Sequence, residues 1–287
     1  MVHFVETVGA LDAWLTSVRA SAASVGLVPT MGVLHAGHEA LIEQARRDCE
    51  HVVVSIFVNP LQFDREDDLR RYPRLIEADL ETCRRVSVDT AFVPSQTEMY
   101  PNKPTTRISV GPLGDHLCGA HRQGHFEGVA TVVAKLFNIV RPQRAYFGEK
   151  DAQQLAIIRR MTADLSVPIL IIGVPTVREA DGLALSSRNR HLSLGERQQA
   201  SALFRALEEA RRLIEGGTVE AGSVVRQALE QIPREVGLRV EYLEVVDPDE
   251  LQPVERIGGP VLVAGALWVG DTKLIDNVVC EPTGQQS

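Results

Sequence analysis

Residues 24–48 read SVGLVPTMGVLHAGHEALIEQARRD, and this stretch sets the fold class. Its opening, Ser24–Pro29, is short, continuous and apolar, the pattern of a strand buried on both faces. Residues 37–48 then place Ala40, Leu41 and Ala45 on one face at helical spacing. Between the two runs PTMGVLHAGH, residues 29–38. Gly32 and Gly37 let backbone come close to a ligand, and His35 and His38 stand three residues apart where the helix begins. A helix N-terminus offers unbonded N–H groups and a partial positive charge, so the unit suits a polyphosphate. Loop histidines with no ligand are the plainer alternative.

The alternation extends in both directions as far as residue 175. Val52–Val58, Thr90–Val93, Arg144–Phe147 and Pro168–Val174 read as further strands. Residues 74–86, with Leu75, Ile76 and Leu80 on one face, read as a helix, as do 127–140 and 151–164. Strands alternating with helices imply a doubly wound, Rossmann-like parallel α/β sheet that binds ligands outside its carboxyl edge. In this reading Ser24–Pro29 is the first strand and 37–48 the first helix. Residues 94–126 break the pattern with Pro94, Pro101, Pro104 and Pro112 among Gly111, Gly114, Gly119 and Gly124. A connection of that length reads as a flap or binding loop, or else as disorder. After Pro175 the pattern changes to helices at 194–215 and 218–231, then strands at Arg239–Val246, Pro260–Val269 and Lys273–Cys280. The expected division is 1–176 and a smaller α+β domain at 177–287, with the last six residues, 282–287, frayed.

Composition narrows the function. The chain has 287 residues, 44% apolar and 24% charged, which is ordinary for a folded protein. Thirty Lys+Arg against 38 Asp+Glu give a net charge of −8, which argues against nucleic acid or an anionic membrane as partner. The apolar runs at Pro168–Val174 and Val261–Val269 are far shorter than the roughly 18 residues of a membrane span. The N-terminus carries Glu6 and Asp12 and lacks a basic lead, so a cytoplasmic location is expected. Cys49, Cys83, Cys118 and Cys280 form no C-x-x-C pair, which fits reduced thiols. His116, Cys118, His121 and His125 offer zinc-type ligands at loose spacing; a substrate-covering loop is the competing reading.

Three motifs carry the chemistry. His35-Ala36-Gly37-His38 is the His-x-Gly-His signature of the nucleotidyltransferase superfamily, and neither a P-loop nor a dinucleotide fingerprint is present. Gly148-Glu149-Lys150-Asp151 again follows a strand and opens a helix. A lysine is disfavoured at a helix N-terminus unless an anion lies between; a solvated lysine is the alternative. Asp181-Gly182-Leu183-Ala184-Leu185-Ser186-Ser187-Arg188-Asn189 sets two hydroxyls and an arginine on a loop able to grip phosphate oxygens, although such a loop is also ordinary surface.

Together with Phe57-Val58-Asn59-Pro60-Leu61-Gln62-Phe63, Tyr72-Pro73-Arg74, Gly124-His125-Phe126, Lys135–Val140 and Phe147–Gln154, these motifs closely resemble the pantothenate synthetase (pantoate–β-alanine ligase) family along nearly the whole chain. Gln123 and Ala36 depart from the family pattern without removing a group that has an assigned role. The resemblance implies that pantoate attacks ATP to give pantoyl adenylate and pyrophosphate, and that β-alanine then displaces AMP. It implies His38 as proton donor, with His35, Lys150 and Arg188 around the phosphates. It places ATP along Met31, Gly32, Val33, Leu34, His35, Ala36, Gly37 and His38, and at Gly148, Glu149, Lys150, Asp151, Val177, Leu185, Ser186, Ser187 and Arg188. Gln62 and Gln154 match the family's pantoate glutamines, and Asn59 and Tyr72 line the substrate pocket. Mg²⁺ comes with ATP, bound mainly by phosphates, with Asp79 as an acid near it. Residues 1–176 become the ATP- and pantoate-binding domain, 177–287 a lid, and the chain a homodimer. A nucleotidylyltransferase, which keeps the nucleotide on its product, shares the histidine motif and is the alternative.

Overall fold

The computed structural model describes residues 2–282, so the expected fraying of the tail falls, from 283 on, outside the described residues. The strands are β1 (His3–Val5), β2 (Val25–Thr30), β3 (His51–Ile56), β4 (Thr90–Phe92), β5 (Arg144–Gly148), β6 (Leu170–Val174), β7 (Leu238–Val246), β8 (Val261–Val269) and β9 (Thr272–Cys280). The helices of the first half are α1 (Val8–Ala20), α2 (Ala36–Asp48), α3 (Glu66–Arg71), α4 (Ile76–Arg85), α5 (Gln96–Met99), α6 (Leu117–His121), α7 (His125–Val140) and α8 (Ala152–Asp164). Those of the second half are α9 (Leu194–Gln199), α10 (Ala202–Glu215) and α11 (Ala221–Leu229). They make two compact units. One contains the residues up to 110, 122–149 and 157–175; the other contains 111–121, 150–156 and the residues from 176 onward.

The first unit holds a sheet in the order β1-β4-β3-β2-β5-β6, every pairing parallel. Its central strands are buried on both faces, with Leu27, Val28, Val52, Val53 and Val54 at 0% exposure, and so read as unbroken apolar runs. From β2 the chain winds outward through β3 and β4, whereas β5 and β6 lie on the other side of β2. The strand order therefore reverses between β2 and β5, and the crevice at their carboxyl ends is where such sheets take ligands. The histidine motif follows β2, and Gly148-Glu149 lies at the carboxyl end of β5.

The second unit is an antiparallel sheet, β7-β8-β9, with a bulge between Val240 and Tyr242. Leu203, Leu207 and Ile214 of α10 and Val224 of α11 share its core with Val263, Leu267 and Val278. Among the described residues, no helix is long and apolar enough to cross a membrane.

The doubly wound α/β sheet and the smaller α+β sheet are those the sequence pattern leads one to expect, with element ends shifted by a few residues. Three corrections follow from the structure. Ser24–Pro29 is not the first strand, because β1 and α1 precede it. β1 is too short to display a period, but α1 carries a helical signal in Leu11, Leu15 and Val18 behind a Thr7 cap whose Oγ1 accepts the Ala10 N–H at 3.1 Å. The expected helix 194–215 is two helices, interrupted at buried Ala200 and Ser201. Residues 94–126 contain α5, a 3₁₀ turn at Gly111–Gly114 and α6, each too short for periodicity to reveal.

Candidate active site

Between β2 and α2 nearly every backbone donor is taken. Thr30 Oγ1 donates to the Ser55 carbonyl at 2.8 Å and accepts the Gly32 N–H at 3.1 Å. Gly32 then turns with φ +83° and Val33 with φ +55°. The left-handed region is open to glycine but costs a β-branched residue about 1–3 kcal/mol, so something must hold Val33 there. A Cβ at position 32 would lie 2.8 Å from Asp79 Oδ2, so this position is closed to larger residues on both counts.

Asp79, on α4 and 2% exposed, accepts the Val33 N–H at 2.9 Å and the Leu34 N–H at 2.7 Å, one on each carboxylate oxygen. Burial raises its pKa above the ordinary carboxylate value, and the two backbone donors only partly offset that.

His35 caps α2. Its Nδ1 accepts the Gly37 N–H at 3.1 Å, while His38 Nδ1 accepts the His35 N–H at 3.3 Å. This reciprocal pair is a capping box built from imidazoles. The rings lie 4.1 Å apart. An Nδ1 that accepts carries no proton, so this bonding assigns both rings the neutral form with a donor N–H at Nε2. A Cβ on Gly37 would meet the His35 ring at 2.9 Å. Glu39, in the first turn, is engaged by both terminal nitrogens of Arg85 at 2.7 and 2.9 Å. That bond holds its carboxyl below the usual range and neutralises the one acid nearest the helix N-terminus.

The same unit builds a buried polar network beside the motif. Asn59, 1% exposed, donates to Gln62 Oε1 at 2.9 Å and to the Gly128 carbonyl at 3.1 Å, and accepts from the Tyr100 hydroxyl at 3.0 Å. Burial pushes the Tyr100 hydroxyl up to about 12, so it stays a donor. Gln62 Nε2 donates to Met31 Sδ at 3.0 Å, joining the network to the histidine loop. Arg122 donates to His125 Nε2 at 3.0 Å, which leaves His125 Nδ1–H to donate to the Gln62 carbonyl at 2.7 Å. Tyr72 packs edge-on against Phe63, ring centroids 5.8 Å apart.

In the second unit, Lys150, Ser186 and Arg188 line one cleft together with Lys273. Lys150 Nζ lies 3.6 Å from Asp151 Oδ1, and its carbonyl accepts from Asn277 Nδ2 at 2.9 Å. Ser186 caps the turn Ser187–His191, its Oγ accepting the Arg188 N–H at 3.3 Å. The Leu185 N–H donates to the Val177 carbonyl at 2.9 Å, so these two residues face each other across a short hairpin. Of the paired glutamines, Gln153 is spent on the Leu113 and His116 carbonyls, both at 2.9 Å. Gln154 is half-buried and makes no side-chain hydrogen bond among the described residues.

The structure thus assembles Met31–His38, Asn59, Gln62, Tyr72, Asp79, Gly148 and Glu149 in the first unit. Lys150, Asp151, Gln154, Val177, Leu185, Ser186, Ser187 and Arg188 belong to the second. Sequence reasoning missed Tyr100, Arg122 and Lys273: Tyr100 bonds to Asn59, Arg122 also reaches the Gln62 carbonyl at 3.3 Å, and Lys273 lines the cleft of Lys150, all far apart along the chain. The zinc-type cluster does not assemble: His125 bonds to Gln62, His121 stacks on Tyr242, and no group of three or more His, Cys, Asp or Glu suited to a metal occurs among the described residues.

A family model described as Pantoate-beta-alanine ligase matches residues 3–279. A pantothenate synthetase of Heliobacterium modesticaldum is 50% identical over 280 residues, 98% of this chain and 100% of that protein. A pantothenate synthetase structure from Thermus thermophilus gives a TM-score of 0.91 at 46% identity, covering 96% of this chain and 99% of that one. The pantoate-beta-alanine ligase of Francisella tularensis, solved with beta-gamma ATP and beta-alanine, gives 0.80 at 30% identity, covering 97% and 98%.

Proposed function

The chain belongs to the pantoate–beta-alanine ligase family, and on that premise we propose that it joins pantoate to β-alanine with ATP through a pantoyl adenylate. A pantoate carboxylate oxygen attacks the α-phosphorus and the bond to the β-phosphate breaks, releasing pyrophosphate. The β-alanine amine then attacks the acyl carbon, loses a proton and displaces AMP. The observation that carries this reading is the Gln62–Met31 contact, which ties the polar acid pocket to the nucleotide loop within one unit.

The residues suit the chemistry. Displacement at phosphorus needs positioning and charge neutralisation more than covalent help. His35 and His38 present Nε2–H donors to the phosphates, with His38 as proton donor to the departing group. Lys150 and Arg188 neutralise the leaving pyrophosphate, and Ser186 and Ser187 add hydroxyl donors. Met31–His38 cradle the triphosphate, while Gly148, Glu149, Asp151, Val177 and Leu185 hold adenosine. Gln62 and Gln154 bind pantoate with neutral amides, which leaves the carboxylate free to attack; Asn59 and Tyr72 complete the substrate pocket.

ATP is taken as its Mg²⁺ complex. Both Asp79 oxygens are committed to backbone N–H groups, so no step is routed through a metal held by this residue. Residues 1–176 carry the acid and most of the nucleotide, and 177–287 contribute Ser186, Ser187 and Arg188. The reading extends to a homodimer in the cytoplasm, where the four free, buried cysteines suit a reducing compartment.

The test is ATP turnover with the nucleotide products resolved. AMP and pyrophosphate are expected, with pantoate alone supporting ATP–pyrophosphate exchange. ADP would refute the adenylate, and a product that retains the nucleotide would favour the nucleotidylyltransferase reading.

A further inference from the structure

Asp79 is the most deeply buried carboxylate of the first unit, and no cation pairs with it among the described residues. Among those residues its oxygens accept only the Val33 and Leu34 N–H groups, at 2.9 and 2.7 Å. One turn further along α4, Cys83 is fully buried, its thiol pushed up to about 12 by burial and then by the charge of Asp79. A buried carboxylate with two backbone donors and no counter-ion is a poor device for stability, since an apolar side chain of similar size avoids the desolvation altogether. The stability given up here is spent on one short segment. Gly32 and Val33 both hold positive φ, +83° and +55°, and valine does not rest there unaided. The two N–H groups that Asp79 grips are those of the strained valine and the residue after it. The next residue, His35, begins the imidazole capping box.

Resting on the function proposed above, we infer that Asp79 is a positioning residue for adenylation: its carboxylate clamps the strained Gly32–Val33–Leu34 turn in the shape that receives the ATP phosphates. It acts through the turn and through His35 and His38, touching no substrate.

The experiment compares wild type, Asp79→Asn, Val33→Gly and the double variant. Asparagine matches aspartate in size but offers one acceptor oxygen where the clamp needs two. We expect at least tenfold weaker binding of a non-hydrolysable ATP analogue and at least a tenfold rise in KM for ATP. KM for pantoate and the Mg²⁺ concentration giving half-maximal activity should stay within about twofold, because neither the acid pocket nor the metal is touched. Glycine adopts the left-handed turn without a clamp, so Val33→Gly should restore ATP affinity at least threefold in the Asp79→Asn background and not improve it in wild type. A generic structural role would show no such rescue. Unchanged ATP affinity in folded Asp79→Asn, or failure of the rescue, overturns the clamp. A raised Mg²⁺ requirement overturns it in favour of a metal ligand. Where Asp79→Asn does not fold, Asp79→Glu keeps the charge and advances the oxygens by one methylene; it should lose ATP affinity similarly, and wild-type affinity there overturns the inference. Analogue binding needs no acid substrate, so it judges the clamp even if pantoate-dependent exchange fails in wild type and the proposed function falls.

Discussion

The loop at residues 30–38 and the turn at 186–191 are both assigned to phosphate, yet they are built in opposite ways. In the first, the N–H groups of Gly32, Val33, Leu34, His35 and Gly37 all have side-chain acceptors before any ligand arrives. In the second, Arg188 is exposed and makes no ion pair among the described residues, and beside its own backbone bonds the turn has the Ser186 cap and one Asn189 side-chain bond to the Ala184 carbonyl at 3.1 Å. A preformed cradle has little left to order on binding, whereas fixing an open arginine costs about 0.5–1.5 kcal/mol. On the function proposed above, the loop recognises the nucleotide and the turn adds charge where the reaction develops it. A buried scaffold gives precision; an exposed side chain gives reach.

The widest expected gap separates His38→Ala from Arg188→Ala. Each should slow single-turnover pyrophosphate release roughly 10²–10³-fold, the usual effect of removing one preorganised charge-stabilising group. Only His38→Ala should also lower the thermal midpoint, because it removes half of a helix cap worth about 1 kcal/mol. Calorimetry beside the kinetics decides the matter, and an equal fall in Tm for Arg188→Ala would end the contrast. Lys150→Ala should behave as Arg188→Ala does, and should keep much more activity when given pantoyl adenylate and β-alanine directly.

Gly32→Ala comes next. It forces a Cβ against Asp79 at φ +83°, a strain of about 1–3 kcal/mol that a urea midpoint and ATP affinity should register together. An equivalent stability loss for Ser187→Ala in the open turn would show the two regions to be alike after all.

The glutamine pair sharpens the comparison at lower energy. Gln62→Ala and Gln154→Ala should each cost about 1–2 kcal/mol of pantoate binding, roughly a 5–30-fold rise in KM for pantoate with that for ATP little changed. Gln62 sits in a buried network and should lose stability as well, whereas half-buried Gln154 should not. If KM for ATP rose equally, these residues would not belong to the acid pocket.

The smallest effect is a pH dependence. Arg85 holds the Glu39 carboxyl below its ordinary value, so the stability from this pair is present above the unfolded carboxylate range and lost as pH falls through the folded one. Arg85→Ala should therefore be slightly less stable than wild type near neutrality and indistinguishable at strongly acid pH. Urea midpoints at the two pH values test this, and a deficit that persisted in acid would mean Arg85 acts by packing.

Much of the site was legible along the chain because its parts are local. A strand, a glycine turn and two histidines three apart predict a helix-capping anion site wherever the chain folds, since those contacts span only a few residues. The structure refined even this, turning His35 and His38 into caps whose outward donors are fixed by the backbone behind them. α1 is also written plainly in the sequence, in Leu11, Leu15 and Val18 after Thr7, whereas β1 is fixed by its pairing with β4.

By itself, then, the sequence determined what short-range physics controls: the alternation that makes a doubly wound sheet, the change of character after Pro175, and the strand–turn–helix unit that carries the two histidines. Only the tertiary structure decided which distant groups make those residues work. Asp79 reaches back 45 residues to Leu34, Gln62 meets Met31, Arg122 and His125 hold the Gln62 backbone, and Lys273 joins Lys150 and Arg188. The reason is physical. Hydrogen-bond and charge complementarity between segments leave no period in the chain, because the energy that selects them appears only once the sheet order β1-β4-β3-β2-β5-β6 has brought the segments together in a place where water is excluded.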